Sequence, residues 1–432
     1  MLKMKRINIV TLGCSKNTVD SEILAGYLAN SEYEVLFDSD KESDYVVINT
    51  CGFINDAKEE SISTILDFGS ARRSGKIEKL IVMGCLSQRY KQELIHEIPE
   101  VDVFYGVNDI RKIVCEFPMA WSEKLPGQRP LSTPGHYAYV KIAEGCDRRC
   151  SFCAIPMIRG KHCSKSMDSI AEECRTLVQR GVKELLLIAQ DLTYYGVDLY
   201  GYNCLDTLVN RLAEENPDTW IRLHYTFPLG FTDALLNVFQ NHPNVVNYID
   251  IPLQHINSRI LKSMHRGIDR EGTRQLIQRF REKLPEAAIR TAFIVGYPGE
   301  TEEEFQELKD FISEFQFERM GIFTYSHEEN TAAFELEDNI PQEIKDARRD
   351  CLMDMQQNIS RAHNRAGVGK ILTVLIDRQE GEYWIARTEF DSPEIDNEVL
   401  IHITDRPVVC GSFRRVKIIQ ADDYDLFAEL AD

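Results

Sequence analysis

Short apolar runs rich in β-formers alternate with helix-length amphipathic stretches along most of the chain, and this alternation narrows the folds open to it more than any other feature. RINIVTL, YEVLF, DYVVINT, KLIVMG and VDVFYG succeed one another from residue 5 to about 110, most of them trailed by a helical pattern. That order predicts an α/β domain with a doubly wound parallel sheet. A segment with four prolines and no period follows, FPMAWSEKLPGQRPLSTPGH, and places a boundary near residue 130. Between Tyr137 and Ser326 six further runs appear: YAYVKIA, ELLLIA, WIRLHYT, VVNYIDI, AIRTAFIV and MGIFTYS, each at least a helix length from the next. These predict an open, partial (β/α)6 barrel of TIM-like design, with its working loops at the C-terminal ends of the strands. Beyond it Pro341 opens a long charged helix that reaches about Arg365, where Gly367 and Gly369 break the pattern. KILTVLID, YWIARTEF, EVLIHIT and RRVKIIQA then alternate apolar with polar residues, as a small antiparallel β-barrel does. The expected domains are 1–130, 131–363 and 364–432, since 432 residues are too many for one compact core.

No window approaches the ~20 apolar residues that a bilayer span needs, so no membrane partner is expected. The opening MLKMKRINIVTLGC has a basic flank, but its apolar run is short, alternates like a strand and meets no small-residue cleavage site. A cytoplasmic location is expected. In that reducing setting twelve cysteines point to metal binding or reactivity rather than disulfides. The net charge of -19 disfavours loose attachment to nucleic-acid phosphates and suits a basic protein partner.

Cys146, Cys150 and Cys153, in GCDRRCSFC, form a Cys-x3-Cys-x2-Cys set directly after the first predicted barrel strand. Three thiolates hold three irons of a 4Fe-4S cubane and leave the fourth iron open to an exogenous ligand. A structural zinc site would want a fourth ligand, and the next cysteine, Cys163, has no paired partner. Cys14, Cys51 and Cys85 are dispersed, yet each follows a predicted strand, in TLGCSKN, INTCGF and VMGCLSQ. Parallel strands gather such ends at one sheet edge, so a second cluster is expected there, with Gly13, Gly52 and Gly84 letting backbone close around it. Three unrelated core cysteines are the alternative. Cys115, Cys163, Cys174, Cys204, Cys351 and Cys410 share no placement and are read as structural. FIVGYPGET, residues 293 to 301, makes a glycine-rich turn at the barrel mouth, although Thr301 and Glu304 also form an ordinary capping box. Gln190, Asp191, Gln254 and His255 point at the same mouth.

GCSKNTVDSE, INTCGFI, GCDRRCSFCAIPMIRGK, DIPLQH and FIVGYPGETEEEF together resemble the radical-SAM methylthiotransferases over nearly the whole chain. The resemblance implies two 4Fe-4S clusters, a radical-generating one on Cys146, Cys150 and Cys153 and an auxiliary one on Cys14, Cys51 and Cys85. It also implies S-adenosyl-L-methionine (SAM) in two roles, as source of a 5'-deoxyadenosyl radical and as methyl donor, with sulfur arriving from or through the auxiliary cluster. Phe152, where the family's loop approaches the adenine, and Gly296, Pro298 and Glu300 are the expected SAM contacts. Packing is the alternative for Phe152, and an exposed first-turn acid for Glu300. The C-terminal barrel resembles the OB-like TRAM domain, which recognises substrate in that family.

One branch of the family modifies isopentenylated adenosine in tRNA; the other, RimO-type, modifies the β-carbon of an aspartate of small-subunit ribosomal protein S-twelve. Lys16 in GCSKN, QDLTYYG, LHYTFP, YSHEENTAAFEL and above all ARTEFDSPEID, residues 386 to 396, resemble the second. Residues 364 to 432 hold eight Lys or Arg against fourteen Asp or Glu, which suits a basic protein better than RNA. Surface solvation is the bland account of those acids. The partners implied are S-twelve, on the small subunit or ribosome, an electron donor such as flavodoxin or ferredoxin, and a sulfur donor. A tRNA-modifying enzyme is the main alternative, and a non-catalytic iron-sulfur protein that docks on ribosomes the weaker one.

Overall fold

The computed structural model describes residues 4–29, 33–118 and 128–431. Residues 119–127, the middle of the proline-bearing linker, lie outside that set. The first sheet contains β1 (Lys5–Thr11), β2 (Tyr33–Phe37), β3 (Tyr45–Thr50), β4 (Lys79–Gly84) and β5 (Val103–Phe104), all parallel, in the order β2-β1-β3-β4-β5. Its inner strands β3 and β4 are largely apolar because both faces are covered. Ile7, Ile9, Val47 and Ile81 meet Leu24, Ala25 and Leu28 of the helix Ser15–Leu28 on one face. Val46, Ile48, Leu80 and Val82 meet Ile65 and Leu94 on the other. The chain order reverses between β1 and β3, and at such a switch point the loops after the strands part to leave a crevice.

The second sheet is built from β6 (Tyr137–Lys141), then, beyond a short ribbon of β7 (Ala143–Glu144) and β8 (Cys163–Ser164), from β9 (Glu184–Ile188), β10 (Trp220–Leu223), β11 (Val245–Asp250), β12 (Ala288–Val295) and β13 (Arg319–Thr324). Six parallel strands run in the order β13-β12-β11-β10-β9-β6 without closing, the open barrel expected from the sequence. Alternate residues such as Val140, Leu185, Leu187 and Ile221 face the outer helices and form the largest core of the molecule. The opposite face is covered by two other parts of the chain. Val19 and Ile23 of the helix Ser15–Leu28 pack on Tyr139, Leu186 and Ile188. Lower down, Arg222 donates to the Glu389 carbonyl (2.8 Å), His224 meets Ser392 (3.0 Å) and Tyr248 donates to Asp396 (2.5 Å). Arg387, Asp391 and Ser392 of ARTEFDSPEID are thereby buried, while Glu394 and Ile395 remain exposed.

The helix Gln342–Gly367 begins after Pro341 and runs unbroken through 363 and 364 and through Gly367, two residues beyond the expected end. Gly367 does not break it; the turn comes at Val368, before Gly369 at φ +88°. A closed barrel follows: β14 (Ile371–Glu380), β15 (Tyr383–Thr388), β16 (Val399–His402), β17 (Phe413–Ala421) and β18 (Leu426–Leu430). Four of its pairings are antiparallel, and β16 with β18 is parallel. The fifth strand, LFAEL, carries too short an apolar pattern to announce itself in the sequence. No helix among the described residues is long and apolar enough to cross a membrane.

Candidate functional site

Cys14, Cys51 and Cys85 stand at the ends of β1, β3 and β4, at the switch point of the first sheet. Two helices start on them: Cys14 is the N-cap of Ser15–Leu28 and Cys85 the first residue of Cys85–Glu97, so backbone N–H groups and the positive ends of the helix dipoles face the thiols. The neighbouring glycines stand where the backbone packs most closely. A Cβ on Gly13 would stand 2.6 Å from Cys51 Cβ, and one on Gly52 2.6 Å from Leu86 Cα, while Gly84 abuts Thr50. They let the three loops approach one another closely beside the thiols. Asn17 secures the assembly, donating to the carbonyls of Leu12 (2.8 Å) and Thr50 (3.1 Å). Burial pushes the Cys85 thiol up to about 12, with Cys14 and Cys51 adding like charge and Arg159 opposing.

Cys146, Cys150 and Cys153 lie on the loop clamped at its base by the β7–β8 ribbon. Cys146 N–H donates to the Gly160 carbonyl (3.1 Å) and Ser151 N–H to the Met264 carbonyl (3.1 Å). Arg148 N–H points at Cys146 Sγ (3.4 Å), and Arg266 Nη1 at Cys150 Sγ (3.3 Å). The guanidiniums of Arg148 and Arg266 each sit 4.2 Å from the centre of the Phe227 ring. Burial pushes Cys146 up to about 11 and Cys153 up to about 12. Among the described residues no three Cys, His, Asp or Glu side chains converge on a point that one ion could occupy. Thiols within hydrogen-bonding reach of cations and backbone N–H groups suit an iron-sulfur cluster, whose sulfurs carry negative charge.

The two triads are tied to each other. Arg159, fully buried, donates to Asn17 Oδ1 (2.6 Å), Asp20 Oδ2 (3.1 Å) and Glu144 Oε1 (2.9 Å). Lys141 pairs with the same Asp20 and Glu144, and Gln190 donates to Glu144 (2.8 Å). Burial alone would raise Glu144, but Lys141 and Arg159 hold it down at about 2. On another side Glu328 of the loop after β13 pairs with Arg89 (2.8 Å) and Lys58 (3.0 Å), and Arg89 also donates to the Gly52 carbonyl (2.9 Å). A few residues on, Ala333 N–H donates to the Ser151 carbonyl (2.7 Å). YSHEENTAAFEL thus fastens both cysteine loops.

The glycine-rich turn is next to the radical loop, because Tyr297 hydroxyl and Ser151 Oγ are 2.9 Å apart. Phe152 packs with Tyr297, Ile260 and Met264. Gly296 is filled on its open side by Lys345, whose Cγ would be 2.3 Å from a Cβ there, and Pro298 is buried. Glu300 is buried as well and precedes the N-cap Thr301, so it is not an exposed first-turn acid; Glu302, Glu303 and Glu304 occupy that turn. Its carboxylate accepts from Gly296 N–H (2.8 Å), Tyr297 N–H (3.3 Å) and Arg348 (2.9 Å), and burial raises it to about 7. The Thr301–Glu304 capping box is present. Asp191 pairs with Arg148 (2.7 Å), Gln254 extends the β12 ladder at φ +76°, and His255 lies buried 3.9 Å from Glu300. Of the six remaining cysteines Cys174 and Cys204 are buried and Cys351 packs partly against the largest core, whereas Cys115, Cys163 and Cys410 are exposed. Arg159 and Arg266 carried no recognisable signal, though Arg159 lies within the GCDRRCSFCAIPMIRGK motif. A groove of about 280 Å³ between the long helix and the C-terminal barrel is lined by Ala288 and Arg319, at the opposite strand ends from the cysteines.

Three family profiles match the chain: the uncharacterised protein family UPF0004 over residues 6–106, the radical SAM superfamily over 140–312 and the TRAM domain over 368–431. The chain is 52% identical to the ribosomal protein uS12 methylthiotransferase RimO of Bacteroides thetaiotaomicron, over 99% of both chains. It is 51% identical to the protein of the same name from Christiangramia forsetii, over 99% of this chain and 95% of that one. Among solved structures it is similar to the radical S-adenosylmethionine methyltransferase TsrM of Kitasatospora setae, at TM-score 0.54, 14% identity and coverage of 74% and 73%. That likeness is one of fold.

Proposed function

Because the chain belongs to the RimO family of radical-SAM methylthiotransferases, we propose that it adds a methylthio group to the β-carbon of an aspartate of ribosomal protein uS12. The observation that carries this reading is the meeting of two cysteine triads across one buried ion network, Asp20–Lys141–Glu144–Arg159. Cys146, Cys150 and Cys153 would hold one 4Fe-4S cluster and Cys14, Cys51 and Cys85 the other. When bound, these groups and SAM supply an electron, a 5'-deoxyadenosyl radical, sulfur and a methyl group. A radical is the fitting tool, because the carboxylate beside an aspartate β-carbon makes removal of a proton by a base unfavourable.

The protein's own residues keep geometry and charge. Arg266 and the Arg148 N–H direct donors at Cys150 and Cys146, stabilising negative charge on the sulfurs. Arg159 fixes the separation of the two loops and sets a positive charge beside Cys85. Tyr297, bonded to Ser151, aligns the Gly296–Glu300 turn with the radical loop, and Phe152, Gly296, Pro298 and Glu300 shape the SAM pocket there, Glu300 from within the turn. The mouth formed by the gathered loops excludes water and stray hydrogen donors. A flavodoxin or ferredoxin would supply electrons, and a separate donor would replenish sulfur.

The test is mass spectrometry of uS12 incubated anaerobically with the reconstituted, reduced enzyme. Wild type is expected to add a methylthio group, and Cys14→Ala to cleave SAM while leaving uS12 unmodified. Modified tRNA beside unchanged uS12 would overturn the assignment.

A further inference from the structure

Lys16 is two residues from Cys14, on the first turn of the helix Ser15–Leu28, and is only 7% exposed. Its ammonium lies 2.8 Å from the centre of the Tyr225 ring and makes no ion pair or hydrogen bond among the described residues. Most neighbouring cations are paired with carboxylates, Lys141 and Arg159 with Asp20 and Glu144, Arg148 with Asp191 and Arg290 with Asp250, while Arg266 donates instead to Cys150 Sγ and the Pro252 carbonyl. An ammonium withdrawn from water without a carboxylate is costly, and a ring face compensates only in part. Tyr225 is itself held at φ +63°, a backbone strain that a bulky residue adopts only where its surroundings force it.

The position gives the unpaired charge a use. Tyr225 follows β10 and is two residues before Phe227, on whose ring Arg148 and Arg266 stack beside Cys146 and Cys150. The stretch 225–227 therefore leads from Lys16, next to the auxiliary triad, to the cations of the radical triad. An aspartate brings a carboxylate attached to the carbon that reacts, and it would supply the missing counter-charge.

We infer that Lys16 binds the carboxylate of the target aspartate, and that this contact sets the enzyme's specificity for an acidic side chain. The inference rests on the reading that an aspartate of uS12 is the substrate. The ion pair forms only on substrate entry, holding the carboxylate against Lys16 and turning the β-carbon towards the space between the triads.

Binding of uS12 to the anaerobically reconstituted holoenzyme tests this in a double-mutant cycle. Wild type and Lys16→Met are each titrated with uS12 and with uS12 whose target aspartate is replaced by asparagine. Either change alone is expected to weaken binding about tenfold or more, and both together no further. Iron content should match wild type, and the unfolding midpoint should not fall, because Lys16→Met removes a buried charge that lacks a carboxylate. If Lys16→Met loses its clusters, Lys16→Gln carries the same cycle. Affinity of the variant within about twofold of wild type, or losses that multiply, would overturn the inference. Wild-type enzyme that leaves uS12 unmodified defeats the functional reading itself, whereas unaltered affinity beside modified uS12 defeats the role of Lys16 alone.

Discussion

Single residues decide the electrostatics of the site. Arg266 reaches Cys150 from 116 residues away and donates its other arm to the Pro252 carbonyl (2.6 Å). Removing the donor with Arg266→Met should lower the reduction potential of the cluster on Cys146, Cys150 and Cys153, read by a redox titration followed by electron paramagnetic resonance. An unshifted midpoint would deny Arg266 that part. His255 is a second case. Asn257 N–H donates to its Nδ1 (3.0 Å), which places the proton on Nε2, and burial lowers its pKa from 6.5 to about 3. The ring is neutral in the folded protein and charged in the unfolded chain below pH 6.5, so its contribution is full above that pH and lost as the pH falls. Relative to His255→Gln, wild-type protein should lose about 2 kcal/mol between pH 6.5 and 5 in urea denaturation. Equal slopes for the two proteins would show that this histidine is not buried neutral.

At the scale of elements, the radical loop is a strand extension folded back on itself. Gly145 sits at φ +74°, where an added Cβ would be 2.1 Å from the Lys161 carbonyl oxygen. Gly145→Ala should therefore shift the β7–β8 clamp, cost about 1–3 kcal/mol in backbone strain alone, and reduce bound iron to roughly half by loss of one of the two clusters. Full iron content in that variant would mean that the loop adapts. The helix starting at Cys14 works in the other direction: its apolar residues fill the inner face of the open barrel, and its first turn delivers Lys16 and Asn17 to the junction of the triads. The sequence leads one to expect a helix after most strands, but the partner sheet of this one was not legible, because Val19 and Ile23 look like any core-facing residues.

Across the whole molecule the C-terminal barrel is locked to the open one through buried charge. Glu184 accepts from Arg222 (2.7 Å) and from Arg387 (2.7 Å), and Arg387 also pairs with Asp377. Burial would raise Glu184, but Arg387 and Arg222 hold it low. Glu184→Gln leaves two buried guanidiniums short of counter-charge and should destabilise by about 3–5 kcal/mol, measured by urea denaturation, with easier proteolysis near Val368 as the barrels separate. Unchanged stability would mean that Asp377 and the other contacts between the barrels suffice. ARTEFDSPEID, the stretch that most resembled the ribosomal-protein branch, also holds two domains together, with Asp391 pairing to Arg319.

The sequence alone determined the two wound sheets, the long helix, four of the five strands of the last barrel and the six cysteines. Each is written in local periodicity or in the position of a thiol relative to its strand, which depend on neighbours in the chain. Tertiary structure decided the rest. Which cations find carboxylates, which residues of ARTEFDSPEID are buried, and that Glu300 turns into its own loop all depend on pairs far apart in sequence, such as Arg159 with Asn17 across 142 residues. Burial makes those pairings costly to leave unmade, and only docking of the domains shows where a buried cation lacks a carboxylate, as at Lys16.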